Sequence, residues 1–225
     1  MRTPRLIVDA YIMPIVNATI NRKRHSDSLA DDGGDDTKTL LEYLVTLTED
    51  PTLIRDTLVS FLLAGRDTSA SLLTFITYVL ALYPDVYRQL REEVIATTSE
   101  DRLYTLEEIK EMQYSTYHQV RATINETLRL FPPVPFNIRR STASPSVLPS
   151  ILSKTLNGFY MYPKCSVTYS LLHIHRGKDL WGDDAEEFKP ERWFAGGSQK
   201  VHVINPFAFI PFNGGPRMVR LPGFV

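Results

Sequence analysis

The 225-residue chain has a single cysteine, Cys165, which excludes a disulfide framework and any cysteine-rich metal centre. It has no excess of either charge: 25 basic and 26 acidic residues leave a formal net charge of −1. That gives no case for a polyanionic partner such as nucleic acid. No signal peptide opens it, since Met1-Arg2-Thr3-Pro4-Arg5 leads into only a short apolar run. A long membrane-spanning run is also missing. The longest charge-free stretch of interest, Thr68 to Pro84, has 17 residues, at the bottom of the range of about 17–25 that can span a bilayer. Arg66, Asp67 and Thr68 crowd one end and Pro84 closes the other, so the stretch reads as a helix buried inside a domain. Nothing in the sequence points to an oligomer, and no internal repeat is visible.

What is present is an ordinary globular composition, 43% hydrophobic and 23% charged, long enough to bury a core. Residues 1–20 read as weakly helical, with Pro4 and Pro14 interrupting, and residues 21–38 as a mobile linker that turns from basic to acidic around Gly33-Gly34. Residues 39–131 read as helical. Asp50 can cap and Pro51 suits a first turn, which predicts one helix from about Pro51 to Tyr83, central and packed on several sides. Pro84-Asp85 opens another helix, to about Ala96. Thr105-x-x-Glu108 forms a capping box, and a further helix runs over about Ser115–Leu130, ended by Pro132-Pro133. Residues 132–175 are short, aromatic and β-branched ("VPFNIRR", "GFYMYP", "SVTYSLLHI") with a turn at Asn157-Gly158, a small β region. Residues 176–225 are loop-rich and aromatic, which is uncommon without a function.

Four constellations could carry chemistry. Gly65 costs a helix about 1 kcal/mol against alanine, and Thr68 can bond back onto a carbonyl one turn earlier, so the ladder is expected to be disturbed over Ala64–Thr68. Small residues there would let a flat ligand approach, and Asp67 beside Thr68 makes a candidate proton path. Taken alone, this is an ordinary packing stretch. Glu126 and Arg129 share a helical face at i, i+3. His173 and His175 would share one face of a strand, as a metal pair does, but no carboxylate or cysteine follows at ligand spacing, and structural histidines are the stronger reading. The end of the chain, "PFNGGPR" (211–217), has a turn at Asn213-Gly214-Gly215, a stiffening Pro216 and a fixed charge, Arg217.

In their order, "AGRDT" (64–68), "ETLR" (126–129), "PERW" (190–193) and "PFNGGPR" (211–217) resemble the motifs of the cytochrome P-450 superfamily of haem-thiolate monooxygenases. "FLLAGRDTSA", "RATINETLRLFPPVPFNIRR" and "HRGKDLWGDDAEEFKPERW" are similar to its fungal branch that oxidises alkanes and fatty acids. The resemblance covers residues 37–217 and corresponds to the C-terminal part of such an enzyme. It implies a mainly α fold with a long central helix, a small β region and a haem cofactor, and it leaves the uncharged half of that helix open to abnormal exposure, since the partners it has in the family belong to the N-terminal part. It implies a proton relay at Asp67 and Thr68, haem contact at Ala64, Gly65, Phe212 and Gly215, and propionate contact at Arg139 and Arg217. Glu126, Arg129 and Arg192 become a structural charge triad. An NADPH-dependent reductase, an apolar small-molecule substrate and the endoplasmic reticulum membrane also follow by resemblance; for this chain no membrane anchor is expected, and its location is read as soluble or unknown.

The resemblance fails at one slot. The family's loop reads Phe-x-x-Gly-x-Arg-x-Cys-x-Gly; here Phe212, Gly215 and Arg217 match, Val219 stands in the cysteine slot and Leu221 in that of the last glycine. Valine has no lone pair to give to iron. "YSTYHQVRA" (114–122) also reads as carrying a few inserted residues. Together these suggest a haem-dependent monooxygenase family member that is inactive in this chain, from a truncated or mispredicted gene whose last residues are translated intron. The rival readings are a non-catalytic remnant without haem, unfolded or serving as a binding protein, and a metal protein that uses His173 and His175.

Overall fold

The computed structural model of the chain describes residues 4–26, 39–97, 118–148, 158–194 and 205–214. The fold is mainly helical. Its elements are α1 (Pro4–Ser26), α2 (Leu40–Leu47), α3 (Pro51–Leu82), α4 (Pro84–Thr97), α5 (His118–Leu130), β1 (Phe136–Arg140), β2 (Ser146–Leu148), β3 (Phe159–Met161), β4 (Ser166–Ser170), α6 (Leu171–Ile174), α7 (Lys178–Trp181) and a 3₁₀ turn, Pro190–Trp193. The chain divides into two compact units, Met1–Asp67 and Thr68–Val225, with α3 running through the division.

In the first unit, α1 continues through Pro14, where a break was expected, and includes residues 21–26 of the expected linker. Proline inside a helix costs about 3 kcal/mol. The opposing term is burial: Ile12, Val16 and Ile20 recur at i, i+4 and i+8 and close on Val45 of α2 and Ile54 of α3. Each such side chain contributes roughly 1.5–3 kcal/mol when fully buried, and together they outweigh one proline. Polar ties align the same helices. The Lys23 ammonium donates to the Val45 carbonyl, Arg24 pairs with Glu49, and the buried Arg55 guanidinium pairs with Asp9. A complete capping box, Thr39 with Glu42, opens α2. The Thr105–Glu108 box and residues 115–117 of the expected helix lie outside the described residues.

Helix α3 has the bounds its sequence implies, and the Asp50 carboxylate accepts from the Thr52 and Leu53 amides at its start. Two expectations about it do not hold. The helix is α-helical without interruption through Ala64–Thr68. Hydroxyl back-bonding to the i−4 carbonyl occurs at Thr57, Ser60, Thr74 and Thr77 of the same helix and breaks it nowhere. Nor is α3 central. Phe61, Leu62, Leu63, Leu73 and Leu82 are each more than half exposed, and beyond Asp67 Val79 is its only buried apolar residue among those described. Tyr11, Ile15, Phe61 and Leu62 border an apolar hollow of about 310 Å3 beside the first unit's core. Among the described residues no single helix is long and apolar enough to cross a membrane; α3 and Pro84–Ala96 pass together on length and composition, but across a bend of 113°.

The helix that is central is α5, buried from Ala122 to Leu130 on nearly every face. Most of what it buries is polar: Gln119, Thr123, Asn125, Glu126, Thr127 and Arg129. Its apolar end joins Val79, Val86 and Phe188 in one cluster, and Phe75 stacks on Phe131 with ring centroids 4.6 Å apart. The β region is two antiparallel pairs. β1 pairs with β4 in the register Phe136↔Ser170 to Arg140↔Ser166, and β2 pairs with β3. Gly158 leads into β3 at φ +91°, where a Cβ would stand 2.4 Å from the Leu148 carbonyl oxygen, so this turn requires glycine. The strand expected to reach Ile174 ends at Ser170, whose hydroxyl caps the helical turn α6.

The first unit's core gives a direct test. Ile54→Ala should lower the stability of that unit by about 2–5 kcal/mol, and Leu62→Ala by less than about 0.5 kcal/mol, read as the shift in urea unfolding. Equal effects would mean that the core is elsewhere.

Candidate functional site

Helix α5 presents Glu126 and Arg129 one turn apart, both fully buried. Their contact is a two-pronged fork: Nε of Arg129 donates to Oε2 of Glu126 and Nη2 donates to Oε1, each at 2.8 Å. Arg129 has five N–H donors, and the structure gives all five an acceptor. Besides the two carboxylate oxygens these are the backbone carbonyls of His175, Ala185 and Glu187. The guanidinium also lies over the Trp181 ring, 5.0 Å from its centroid.

Glu126 is used as fully. Oε1 also accepts the Lys189 amide at 2.9 Å, and Oε2 accepts the Trp193 indole N–H at 3.0 Å. Arg192, on the 3₁₀ turn, brings its Nε to 3.4 Å from Oε1, an ion pair outside hydrogen-bond geometry. Its Nη1 donates to the Trp181 carbonyl, and its Nη2 donates to the Asp184 carbonyl and pairs with the Asp184 carboxylate at 2.7 Å. The structure therefore brings Glu126, Arg129 and Arg192 into one buried cluster. Spacing on α5 accounts for the first two only. Hydrogen bonds from Lys189 and then Arg192 hold the partly exposed Asp184 carboxyl down to about 2.

Around this cluster the segment 205–214 is fixed at four residues. Ala208 is fully buried, and Phe209 lies between Trp193, at 4.6 Å between centroids, and His175, at 5.3 Å. The Ile210 amide donates to Nε2 of His175 at 3.0 Å. Asn213 takes a left-handed conformation, φ +66°, and its Oδ1 accepts from Nδ2 of Asn137 at 2.8 Å and from the Tyr169 hydroxyl at 2.9 Å. Asn137 and Tyr169 face each other across the β1–β4 ladder, so the loop hangs on one end of that sheet. Arg139 shares the Asn137 face of β1, donates to Asn137 Oδ1 and lies 5.7 Å from the Tyr169 centroid, which places it beside the Asn213 turn. Gly215, Arg217 and Val219 lie outside the described residues.

The remaining candidates are elsewhere. Ala64, Gly65 and Asp67 sit on an exposed stretch of α3, with Thr68 half-buried. A Cβ on Gly65 would meet nothing within 4 Å, so no protein neighbour requires glycine there. His173 and His175 do not form a pair. In α6 the first is exposed and bonds the Ser170 hydroxyl, and the second is buried; among the described residues no group of His, Cys, Asp and Glu could hold a metal ion. Cys165 lies just before β4, four residues from Tyr169, roughly 13 Å along a strand from the end that holds the loop. Sequence reading missed His175 and Asn213 as anchors of the loop and Trp193 as a donor to Glu126. The Asn-Gly dipeptide carried a turn signal; nothing local pointed His175 at Ile210.

Comparison with known proteins gives a consistent answer. The sequence model of the cytochrome P450 family matches residues 13–218. The cytochrome P450 monooxygenase himC of Aspergillus japonicus is 38% identical over 205 residues, 91% of this chain and 34% of the relative. Cytochrome P450 52A3-A of Candida maltosa is 40% identical over 179 residues, 79% of this chain and 33% of the relative. A crystal structure of a cytochrome P450 (CYP102L1) superposes with a TM-score of 0.70 at 25% identity, covering 93% of this chain and 44% of that one. The chain thus spans about a third of the length of the curated relatives it matches.

Removing one partner of a buried pair strands the other's charge, at a cost of roughly 3–5 kcal/mol. Glu126→Gln should therefore abolish cooperative melting or shift it by that amount, whereas Arg88→Ala, on the exposed face of α4, should be silent in the same urea titration. Acid should separate a second contribution. The Asp184 carboxyl is depressed in the folded state, so its stabilisation is complete above its ordinary value of 3.8 and is lost as the pH falls through about 2. Asp184→Asn should flatten the acid limb of stability in that window and nowhere above it.

Proposed function

Because the chain belongs to the cytochrome P450 family, we propose that it carries the scaffold of a haem monooxygenase without the ligand that the reaction needs. The reaction of the lineage is insertion of one oxygen atom from O₂ into an apolar substrate, a fatty acid or alkane on the fungal resemblance, with electrons from an NADPH-dependent reductase. On this reading Glu126, Arg129 and Arg192 support the loop, Asp67 and Thr68 stand where the lineage moves protons, and Arg139 and Arg217 stand where it binds propionates.

Two features of the chain bear on whether haem fits. Gly65 agrees with the approach of a flat ligand: it costs its helix about 1 kcal/mol, and no protein neighbour requires it. The donor set does not agree. A haem thiolate needs a cysteine, since only the thiolate supplies the electron push that favours O–O cleavage. Val219 offers no donor atom, and the single cysteine belongs to the far end of the β1–β4 ladder from the loop's attachment. The residues present do not fit a thiolate-bound haem, and no step of oxygen chemistry is assigned to them. The observation that carries this reading is Val219 in a loop whose Phe212, Gly215 and Arg217 all match.

Reconstitution with haem tests it. The reduced, carbon monoxide-treated protein should lack the red-shifted Soret band of a thiolate complex, and with a reductase it should not hydroxylate a fatty acid. A thiolate-type band from the unaltered chain would overturn the reading; its loss in Cys165→Ser would then identify Cys165 as the ligand.

A further inference from the structure

His175 is fully buried, and the proposed function gives it no role. Its ring is held on one side by a donor. The Ile210 N–H points at Nε2, so Nε2 must carry a lone pair, and the neutral ring has its proton on Nδ1. Among the described residues Nδ1 is buried without a well-formed hydrogen bond, and the Leu128 and Arg129 carbonyls bear on the ring only weakly. On α5 the ionisable groups facing this position are Arg129, whose Nη1 donates to the His175 carbonyl, and Glu126, both of whose oxygens are already occupied by other donors. From the 205–214 segment come Phe209 and Ile210, neither of which titrates. Arg192 and Asp184 close on each other, and His173, Lys178 and Asp179 are exposed. Among the described residues no carboxylate faces the ring with an oxygen to spare for a proton-bearing imidazole.

We propose that His175 is a proton-operated latch: neutral, it holds the 205–214 loop against the buried charge cluster, and protonated, it releases that loop while the cluster stays in place. A second proton on the ring would fall on Nε2 and set one donor against another at 3.0 Å, next to the Arg129 cation. The loop would lose its Ile210 anchor and the contact of Phe209 with the His175 ring, and would be left with the Phe209–Trp193 contact, the buried Ala208 and the Asn213 tie to β1 and β4. The energetics agree with the geometry. Burial, then the Arg129 charge, lowers the His175 value to about 4, against a weaker opposite pull from the Leu128 and Arg129 carbonyls. The neutral ring is therefore favoured by folding. Stability tied to it is complete above the ordinary value of 6.5, falls as the pH drops, and has all gone by about 4. That window lies above the one in which Asp184 releases Arg192.

Amide hydrogen exchange on the full chain, corrected for the intrinsic rate at each pH, tests the latch without any need for haem. Between pH 7 and pH 4 the protection of Ile210 and its neighbours should fall on the order of 100-fold, while amides of α5 keep theirs. His175→Gln, whose side-chain carbonyl can still accept from Ile210 and does not titrate, should hold protection flat over that range. His175→Phe, with no acceptor, should leave the loop unprotected at every pH. Loop amides that follow α5 amides throughout, or the wild-type profile persisting in His175→Gln, would overturn the proposal. If His175→Gln does not fold, the wild-type ring decides: a loop transition coinciding with the titration of the His175 carbon-bound proton supports the latch, and a transition elsewhere removes it.

Discussion

The Glu126–Arg129 fork decides the course of the chain after α5. Each unmet N–H of a buried guanidinium retains its desolvation cost, and Arg129, the most enclosed arginine described, leaves none unmet. Two donors go to Glu126, and the other three must meet carbonyls. Those carbonyls belong to His175, Ala185 and Glu187, in a stretch with only two single-turn helices and few ladder bonds of its own. The path of that stretch is set by where acceptors have to stand. The Lys189 amide and the Trp193 indole complete the pattern from the carboxylate side, so the chain from 175 to 193 is pinned to one helical turn of α5. Such a cluster contributes little net stability, since desolvation offsets its attraction, but it admits few alternative arrangements.

This explains why the sequence is legible in some places and silent in others. The start of α3 could be read because a cap, a proline and a run of helix formers act within a few residues. The motifs gave the family, and the i, i+3 spacing put Glu126 and Arg129 on one face. Burial was not legible, because it depends on partners. The charge-free half of α3 has the composition of a core helix and is largely exposed, whereas α5, with Gln, Thr, Asn, Glu and Arg, is enclosed. A polar helix is buried only if distant segments satisfy its donors and acceptors, and no periodicity reports on residues 46 to 67 positions away. Pro14 misled for the same reason, since its local cost is outweighed by packing with α2 and α3. The alternation through Leu172 and Ile174 suggested a strand, but the Ser170 hydroxyl captures the His173 amide and starts a helical turn.

The candidate site was legible as a set of residue types and not as an arrangement. Arg192 joins Glu126 across more than sixty residues, and only the family resemblance anticipated that meeting. His175 was read as a structural histidine in preference to a metal ligand, but what it holds was not legible. On the expected strand it would have shared a face with His173. In a helical turn the two separate, and one ring becomes the acceptor for a loop amide.

Placement of the 205–214 loop and the chemistry of the loop's continuation are physically separate matters. The loop is held by a buried alanine, an aromatic ring between two others, one amide bonded to an imidazole and one asparagine bridging two strands. None of these contacts involves residue 219. All of them are made by residues 208–213 themselves, so the placement of this segment is decided within the described part of the chain. The family match over residues 13–218 and the TM-score of 0.70 report on this scaffold and not on any one donor atom.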